Sequence, residues 1–234
     1  STGKYIRNHL INEYSLHKNK YIDVINGELL YRDNIYEKKG RMKKILLELE
    51  KYNSIIMSLG RAERYKNLDK TMFLGKKLGI KPVVITQQYF KRQPIVFEYK
   101  KIAEETNAIL YVDEPFSLPQ YIVENYSKKM IMLIPSEREI FGLVINEMRR
   151  FNKDNVLIVA NSRGGLIEQI DDGIDGVLVD LDDIEHSAKK ISKYFDPKIM
   201  KKINQEGQKR LIKDYDLIKN FDNFFKKVFG EEYE

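Results

Sequence analysis

The sequence predicts a doubly wound α/β domain in which helices cover both faces of a parallel sheet. From residue 40 onward, short and mostly apolar segments alternate with amphipathic segments of helical period. Strands that are apolar at nearly every position are typical of parallel sheets, because both faces of such sheets are buried. The chain has 234 residues, which is enough for one sizeable domain with an appendage.

The first residues contain two weaker elements. Residues 5–11 form a short amphipathic stretch, and residues 21–25 are predicted as a strand. The strand ends at Asn26 and Gly27, because this pair of residues favours a turn.

Each later element is predicted from the spacing of its apolar residues. In residues 41–51, Met42, Ile45 and Leu49 share one helical face, whereas residues 55–59 form a continuous apolar run that ends at Gly60. The predicted helices cover residues 41–51, 68–78, 95–105, 118–126, 141–151, 166–170 and 184–195. The predicted strands cover residues 55–59, 82–86, 108–112, 130–134, 156–160 and 177–179. In parallel sheets of this kind, ligands bind in the loops at the carboxyl ends of the strands.

The last predicted helix, residues 214–229, carries seven apolar residues at helical spacing. A stripe of this kind is usually a packing face, so we interpret it as a carboxy-terminal packing helix. The predicted domain organisation is therefore an amino-terminal segment (1–39), a main domain (40–212) and the packing helix (213–234).

Composition excludes several classes of protein. The apolar content of 42% is too high for a disordered chain, and no apolar run approaches the roughly 18 residues of a membrane-spanning helix. The absence of cysteine excludes disulfides, Cys-ligated metals and a cysteine nucleophile. His9, His17 and His186 lack the spacing of metal ligands, so no metal site is predicted.

The formal net charge of +6 has two explanations. It indicates either a preference for an anionic surface or a composition rich in Lys, Ile, Asn and Tyr, as in organisms with AT-rich genomes. No nucleic-acid recognition motif accompanies the charge, so no nucleic-acid partner is expected.

The loop after the first regular strand, GRAERYKNLD, contains two cations. Arg61 and Lys66 leave a strand end just before a helix, where the helix dipole also favours anions. This pattern fits either a diphosphate site or a solvated basic loop.

A second candidate segment, PSEREIFGLVINEM, runs from a strand end into a helix. Glu139 lies just before the predicted helix and Glu147 lies inside it, so the two carboxylates are suited to separate parts of an extended ligand. Between them, the backbone N–H groups around Phe141, Gly142 and Leu143 are free to receive phosphate oxygens. The alternative is a helix-capping Glu139 and a surface Glu147.

A third candidate segment, ANSRGGLIEQIDDGIDGVLVD, follows the next strand. Gly164 and Gly165 permit either a close backbone approach or a positive φ, and Glu168 lies in another short helix. Gly173 and Gly176 flank a turn. These glycines are also explained by turns alone, but three ligand-type loops at consecutive strand ends favour a binding site.

Together these segments resemble the donor-binding domain of family-four glycosyltransferases with the GT-B fold, which is Rossmann-like. In that family a Gly-Arg pair is followed five residues after the Arg by a Lys, as in Gly60, Arg61 and Lys66. A Pro-Ser pair and the pattern Glu-x-Phe-Gly-Leu-Val-x-x-Glu are matched by Pro135, Ser136, Glu139, Phe141, Gly142, Leu143, Val144 and Glu147. Gly-Gly-x-x-Glu and Asp-Gly-x-x-Gly are matched by Gly164, Gly165, Glu168, Asp172, Gly173 and Gly176.

The resemblance implies a role for each matched residue. Arg61 and Lys66 would neutralise the diphosphate of a nucleotide-sugar donor, and Glu139 would contact the donor sugar. Glu147 would bind the ribose hydroxyls, and the amides of Gly142 and Leu143 would meet phosphate or sugar oxygens. Gly60 and Phe141 complete the expected donor site. Two cations make a metal ion unnecessary for stabilising the leaving phosphate, so neither a metal nor another cofactor is expected.

Some positions depart from the family pattern. Ile140 replaces the usual Gly after the first motif Glu, which adds bulk beside the expected sugar pocket. Met148, Arg149 and Arg150 stand where small residues are common, and we interpret them as divergence within a working site. Residues 1–39 resemble the junction with the amino-terminal domain that normally supplies the acceptor site, so that domain is expected to be missing from this chain.

The resemblance implies the carboxy-terminal half of a retaining, metal-independent hexosyltransferase of polysaccharide biosynthesis, inactive without its acceptor domain. Its partners would be a nucleotide sugar and a glycan or lipid-linked acceptor. A cytoplasmic location is expected, with peripheral association with an anionic membrane at its inner face suggested by the net charge. The alternatives are a non-catalytic interaction subunit and a nucleotide-sugar epimerase of the same fold.

Overall fold

A computed structural model describes residues 39–229 and contains one parallel sheet within them. Its six strands are β1 (Ser54–Arg61), β2 (Lys81–Gln87), β3 (Ile109–Val112), β4 (Lys129–Ile134), β5 (Val156–Asn161) and β6 (Val177–Val179). Their spatial order is β3-β2-β1-β4-β5-β6, and every neighbouring pair is parallel. The predicted fold class, a doubly wound α/β domain, is confirmed.

Helices connect and follow these strands. In the described range they are α1 (Lys39–Leu49), α2 (Leu68–Leu78), α3 (Pro94–Thr106), α4 (Leu118–Asn125), α5 (Leu143–Phe151), α6 (Leu166–Gln169), α7 (Ile184–Tyr194), α8 (Pro197–Asp214) and α9 (Leu217–Phe229). A single 3₁₀ turn, Arg64–Lys66, lies between β1 and α2.

Apolar side chains fill both faces of the sheet, as the strand composition predicts. On one face Met57 of β1 belongs to a core cluster with Met42 of α1 and Ile122 of α4. On the other face Ile56 belongs to a cluster with Ile191 of α7 and other buried residues. Adjacent strand residues point to opposite faces, so a strand buried on both sides must be apolar throughout.

Two elements differ from the prediction. Helix α8 was not predicted, because charged residues separate its few buried apolar side chains. It begins with a clear signal, since the Asp196 carboxylate accepts bonds from the amides of Lys198 and Ile199 and Pro197 occupies the first turn. The helix predicted to begin at Phe141 instead begins at Leu143, because Gly142 is left-handed with a φ of 76°.

Helix α9 follows a short break at Tyr215 and Asp216, so the predicted domain boundary at 212–213 falls in the last turn of α8. The residues of α9 are helical as predicted, but none of them is buried. Packing of its aromatic face stays a prediction. The predicted strand 21–25 and the amphipathic stretch 5–11 lie outside the described residues.

The sheet order locates a ligand site. From β1 the chain moves outward to β2 and β3, then returns to add β4 on the other side of β1. The connections after β1 and β4 therefore diverge and leave a crevice at the carboxyl ends of these two strands. Arg61 ends β1, and Glu139 follows β4.

The structure explains Arg149, which the sequence left as an unusual residue of α5. Its side chain is only 2% exposed and pairs at 3.1 Å with Asp175, which is 3% exposed. The guanidinium also donates to the carbonyl oxygen of Gln169 at 3.0 Å. Gly207 of α8 leaves room, because a Cβ there would lie 3.2 Å from Arg149 Nε. Burial lowers the pKa of Arg149, and the charge of Asp175 opposes that effect.

Removing Asp175 is expected to destabilise the domain strongly. Asp175→Ala leaves the buried Arg149 without its counter-ion, and breaking such a pair costs about 3–5 kcal/mol. The matched control is Asp182→Ala, which removes an exposed partner of Arg163 and costs about 0–1 kcal/mol. Urea titration of both variants measures their free energies of unfolding. If both variants lost the same free energy of unfolding, the buried Arg149–Asp175 ion pair would be contradicted.

Candidate functional site

Three loops meet at the crevice beside the ends of β1 and β4. The amide of Glu137, after β4, donates to the carbonyl oxygen of Tyr65, after β1, at 2.8 Å. The amide of Gly165, after β5, donates to the carbonyl oxygen of Glu139 at 2.7 Å. Backbone hydrogen bonds therefore fix all three loops relative to one another.

An ion pair joins two of the residues that the sequence singled out. Lys66 Nζ lies 2.7 Å from Glu139 Oε2, with the two side chains 17% and 23% exposed. Partial burial limits solvent screening, so the attraction is stronger than in a fully exposed pair. The stem of Lys66 runs past Gly60, where a Cβ would lie 3.6 Å from Lys66 Cγ. Gly60, Lys66 and Glu139 thus lie together at the crevice.

Arg61 lies at the open side of the crevice with a side chain that is 53% exposed. One guanidinium nitrogen donates to the hydroxyl of Tyr65 at 2.9 Å, and another donates to the hydroxyl of Tyr89. Glu63 forms an ion pair with it at 3.4 Å. These contacts orient the guanidinium while leaving half of its side chain accessible.

Glu63 contributes negative charge beside Arg61. Burial raises the pKa of the Glu63 carboxyl, but the hydroxyls of Tyr65 and Tyr89 and the charges of Arg61 and Lys66 outweigh burial, and the net pKa is lowered. Glu63 is therefore ionised at neutral pH. A negative ligand entering the site meets two cations that are each already paired with a carboxylate.

The start of α5 supplies backbone donors. Its first backbone bond runs from the amide of Ile145 to the carbonyl oxygen of Gly142 at 2.9 Å. The amides of Leu143 and Val144 precede this bond and have no intrahelical acceptor. They and the helix dipole favour an anion at this point.

Gly164 and Gly165 bring the third loop against Glu139. Gly164 has a φ of 60°, and a Cβ on it would lie 2.6 Å from the carbonyl oxygen of Glu139. Gly165 has an ordinary φ of −70°, but its Cβ would lie 1.9 Å from the carbonyl oxygen of Ile140. The structure thus contains both the positive φ and the close approach, and both serve to hold the Glu139 loop.

The remaining predicted residues occupy less direct positions. The ring of Phe141 packs edge-to-face on Tyr215 at 5.9 Å, so this side chain is used in packing. Glu147 is half-buried in the second turn of α5. Glu63, Tyr65 and Tyr89 were not singled out from the sequence as site residues. The first two lie in the same segment as Arg61 and Lys66, and Tyr89 lies in the loop after β2, another strand end.

The described residues contain neither a cluster suited to a metal ion nor a helix suited to cross a membrane. Residues 39–229 contain no cluster of three or more His, Asp or Glu side chains arranged to hold a metal ion. Metal independence stays a prediction. In the same part of the chain, every helix is too short or too polar to cross a membrane.

Comparison with protein families matches residues 39–213 to the family of glycosyl transferases group 1. The chain belongs to this family. The matched range includes all three loops of the crevice, and the predicted resemblance to GT-B glycosyltransferases is confirmed.

Relatives of this group 1 glycosyl transferase are longer than the chain. A protein of Klebsiella pneumoniae described as an uncharacterized 41.2 kDa protein in a cps region is 30% identical over 170 residues, which are 71% of this chain and 43% of that protein. A glycosyltransferase from Rickettsia africae superimposes with a TM-score of 0.77 at 18% identity, covering 99% of this chain and 63% of that one. Anabaena HepE, solved in complex with UDP and glucose, has a TM-score of 0.75 at 15% identity, with coverages of 94% and 60%. The chain therefore spans less than two thirds of each of these three proteins.

Substituting Gly165 tests the contact between the loops. Gly165→Ala forces the Ile140 carbonyl away, and overpacking of this kind is expected to cost about 1–3 kcal/mol of unfolding free energy. Gly40→Ala is the matched control, because Gly40 lies in α1 with nothing within 4 Å of the added Cβ and gains up to about 1 kcal/mol in helix propensity. Urea titration measures the free energy of unfolding of both variants. Similar stabilities of the two variants would show that the loops do not approach as closely as described.

Proposed function

We propose that the chain is the nucleotide-sugar-binding half of a retaining glycosyltransferase. The observation that carries this proposal is the Lys66–Glu139 pair, a cation and a carboxylate 2.7 Å apart at the crevice between β1 and β4. Membership of the group 1 glycosyl transferases and the location at the switch point of the sheet support it.

In the proposed complex, the donor diphosphate lies between Arg61 and Lys66. It also accepts hydrogen bonds from amides at the start of α5, including Leu143, where the left-handed Gly142 opens the helix end. Both cations then face the charge that grows on the leaving phosphate, so their electrostatic stabilisation is greatest in the transition state.

Binding would rearrange the Lys66–Glu139 pair. The diphosphate competes with the carboxylate for the ammonium group, because phosphate oxygens are strong charge-assisted acceptors. The carboxylate of Glu139 would then accept a hydrogen bond from a hydroxyl of the donor sugar. Glu147, one turn into α5, would bind the ribose hydroxyls. Lys66 and Glu139 would thus stay paired until the donor arrives.

The whole enzyme would transfer a hexose to a glycan or lipid-linked acceptor. HepE was solved with UDP and glucose, which supports a nucleotide-sugar donor, and a relative from a cps region supports a role in polysaccharide synthesis. The acceptor would bind to a further domain, for which the greater length of these relatives leaves room. Without it the chain is expected to bind donor but to transfer little sugar.

The cytoplasmic location and the association with an anionic membrane also stay proposals, motivated by the net charge of +6. Sedimentation with phosphatidylglycerol vesicles at low and high salt tests the association. Absent or salt-insensitive binding would count against it.

Calorimetry with UDP, GDP and ADP tests the donor site. At least one nucleoside diphosphate is expected to bind, and Lys66→Ala is expected to weaken that binding by about 1.5–3 kcal/mol through loss of a charge-assisted hydrogen bond. Lys190→Ala is the matched control, because Lys190 also pairs with a carboxylate, that of Asp172, at 2.6 Å and has a similar exposure of 27%.

Two results would contradict the proposal. If none of the three nucleotides binds at millimolar concentration, the chain is not a donor-binding domain. If a nucleotide binds equally well to wild-type and Lys66→Ala protein, Lys66 does not belong to the diphosphate site.

A further inference from the structure

Tyr65 contacts both cations of the candidate site. Its hydroxyl accepts a hydrogen bond from Arg61 at 2.9 Å, and its ring centroid lies 5.4 Å from Lys66 Nζ. The first contact fixes a guanidinium, and the second is a cation–π contact with an ammonium group. One side chain therefore restrains two flexible cations at once.

The backbone around Tyr65 is itself restrained. Tyr65 is the central residue of the 3₁₀ turn, in which the amide of Lys66 donates to the carbonyl oxygen of Glu63 at 3.0 Å. Its own carbonyl oxygen accepts from the amide of Glu137 at 2.8 Å. The backbone of Tyr65 is thus tied to two of the three loops. A hydrogen bond with Glu63 and burial raise the pKa of the Tyr65 hydroxyl above its usual value.

Glu63 and Tyr89 complete the frame around Arg61. Glu63 pairs with the Arg61 guanidinium at 3.4 Å, and the ring centroid of Tyr89 lies 5.2 Å from Arg61 Cζ. Together with Tyr65, three side chains therefore restrain Arg61. Lys66 has the Tyr65 ring and the Glu139 carboxylate as its restraints.

Resting on the proposed function, we propose that Tyr65 is a positioning residue that sets the separation and orientation of Arg61 and Lys66 for a diphosphate. Side chains that are ordered before binding lose less conformational entropy when the ligand arrives. A diphosphate has two charged groups for the two cations, whereas a monophosphate has one. The ratio of affinities for the two ligands therefore reports how well the cations are placed relative to each other.

Calorimetry of UDP and UMP binding to Tyr65→Phe and Tyr65→Leu tests the proposal, and GDP with GMP covers a guanine-specific site. Tyr65→Phe removes the hydroxyl held by Arg61 and keeps the ring beside Lys66, so the diphosphate-to-monophosphate affinity ratio is expected to fall roughly threefold to tenfold. Tyr65→Leu also removes the ring, so the ratio is expected to fall further.

The matched controls are Tyr52→Phe and Tyr52→Leu. Tyr52 likewise has its ring near a lysine, with 5.0 Å from its centroid to Lys81 Nζ. It precedes β1, however, and so lies at the amino ends of the strands, away from the crevice at their carboxyl ends. These variants are expected to leave the affinity ratio unchanged.

The outcomes separate the inference from the proposed function. An unchanged ratio in Tyr65→Phe, or equal losses for UDP and UMP, overturns the positioning role while leaving the donor site intact. A wild-type chain that has no preference for either nucleoside diphosphate over its monophosphate contradicts the proposed function itself. If urea titration shows that Tyr65→Leu is unfolded, the affinity ratio of Tyr65→Phe alone decides whether Tyr65 positions the two cations.

Discussion

The ion pair between Lys66 and Glu139 joins loops that are 73 residues apart in the chain. Each partner belongs to a loop that the backbone also fixes, through the Glu137–Tyr65 and Gly165–Glu139 hydrogen bonds. A cation and a carboxylate held this way are already oriented before a ligand arrives. The other features of the site, including the exposed Arg61 and the amides at the start of α5, are arranged around this pair.

The order of the strands explains why these loops meet. β1 and β4 are neighbours, and the chain leaves them in opposite directions, so the crevice lies between their carboxyl ends. Gly164 and Gly165 then allow the loop after β5 to approach the Glu139 backbone more closely than any other residue would permit. The buried Arg149–Asp175 pair holds α5 against the loop before β6, and Arg210 of α8 pairs with the same carboxylate at 2.9 Å.

The fold could be predicted, and candidate residues for the site could be chosen, because both leave local patterns in the sequence. The spacing of the apolar residues distinguishes strands from helices, and Gly60, Arg61 and Lys66 lie close together in one segment of the sequence. The start of α5 was misplaced because it depends on the φ of Gly142, and α8 was missed because its apolar residues are sparse. The contact of Tyr89 with Arg61 was not predictable, since it joins two loops that are 28 residues apart. The contact of Tyr65 with Arg61 lies within one loop, but it depends on a 3₁₀ turn that no apolar pattern marks.

A crystal structure of the chain with a bound nucleoside diphosphate such as UDP tests the central claim most directly. We expect the diphosphate to lie within hydrogen-bond distance of both Arg61 and Lys66, with the three loops unmoved and Glu139 separated from Lys66. A nucleotide bound elsewhere on the chain, or a phosphate out of reach of an unbroken Lys66–Glu139 pair, would contradict the account.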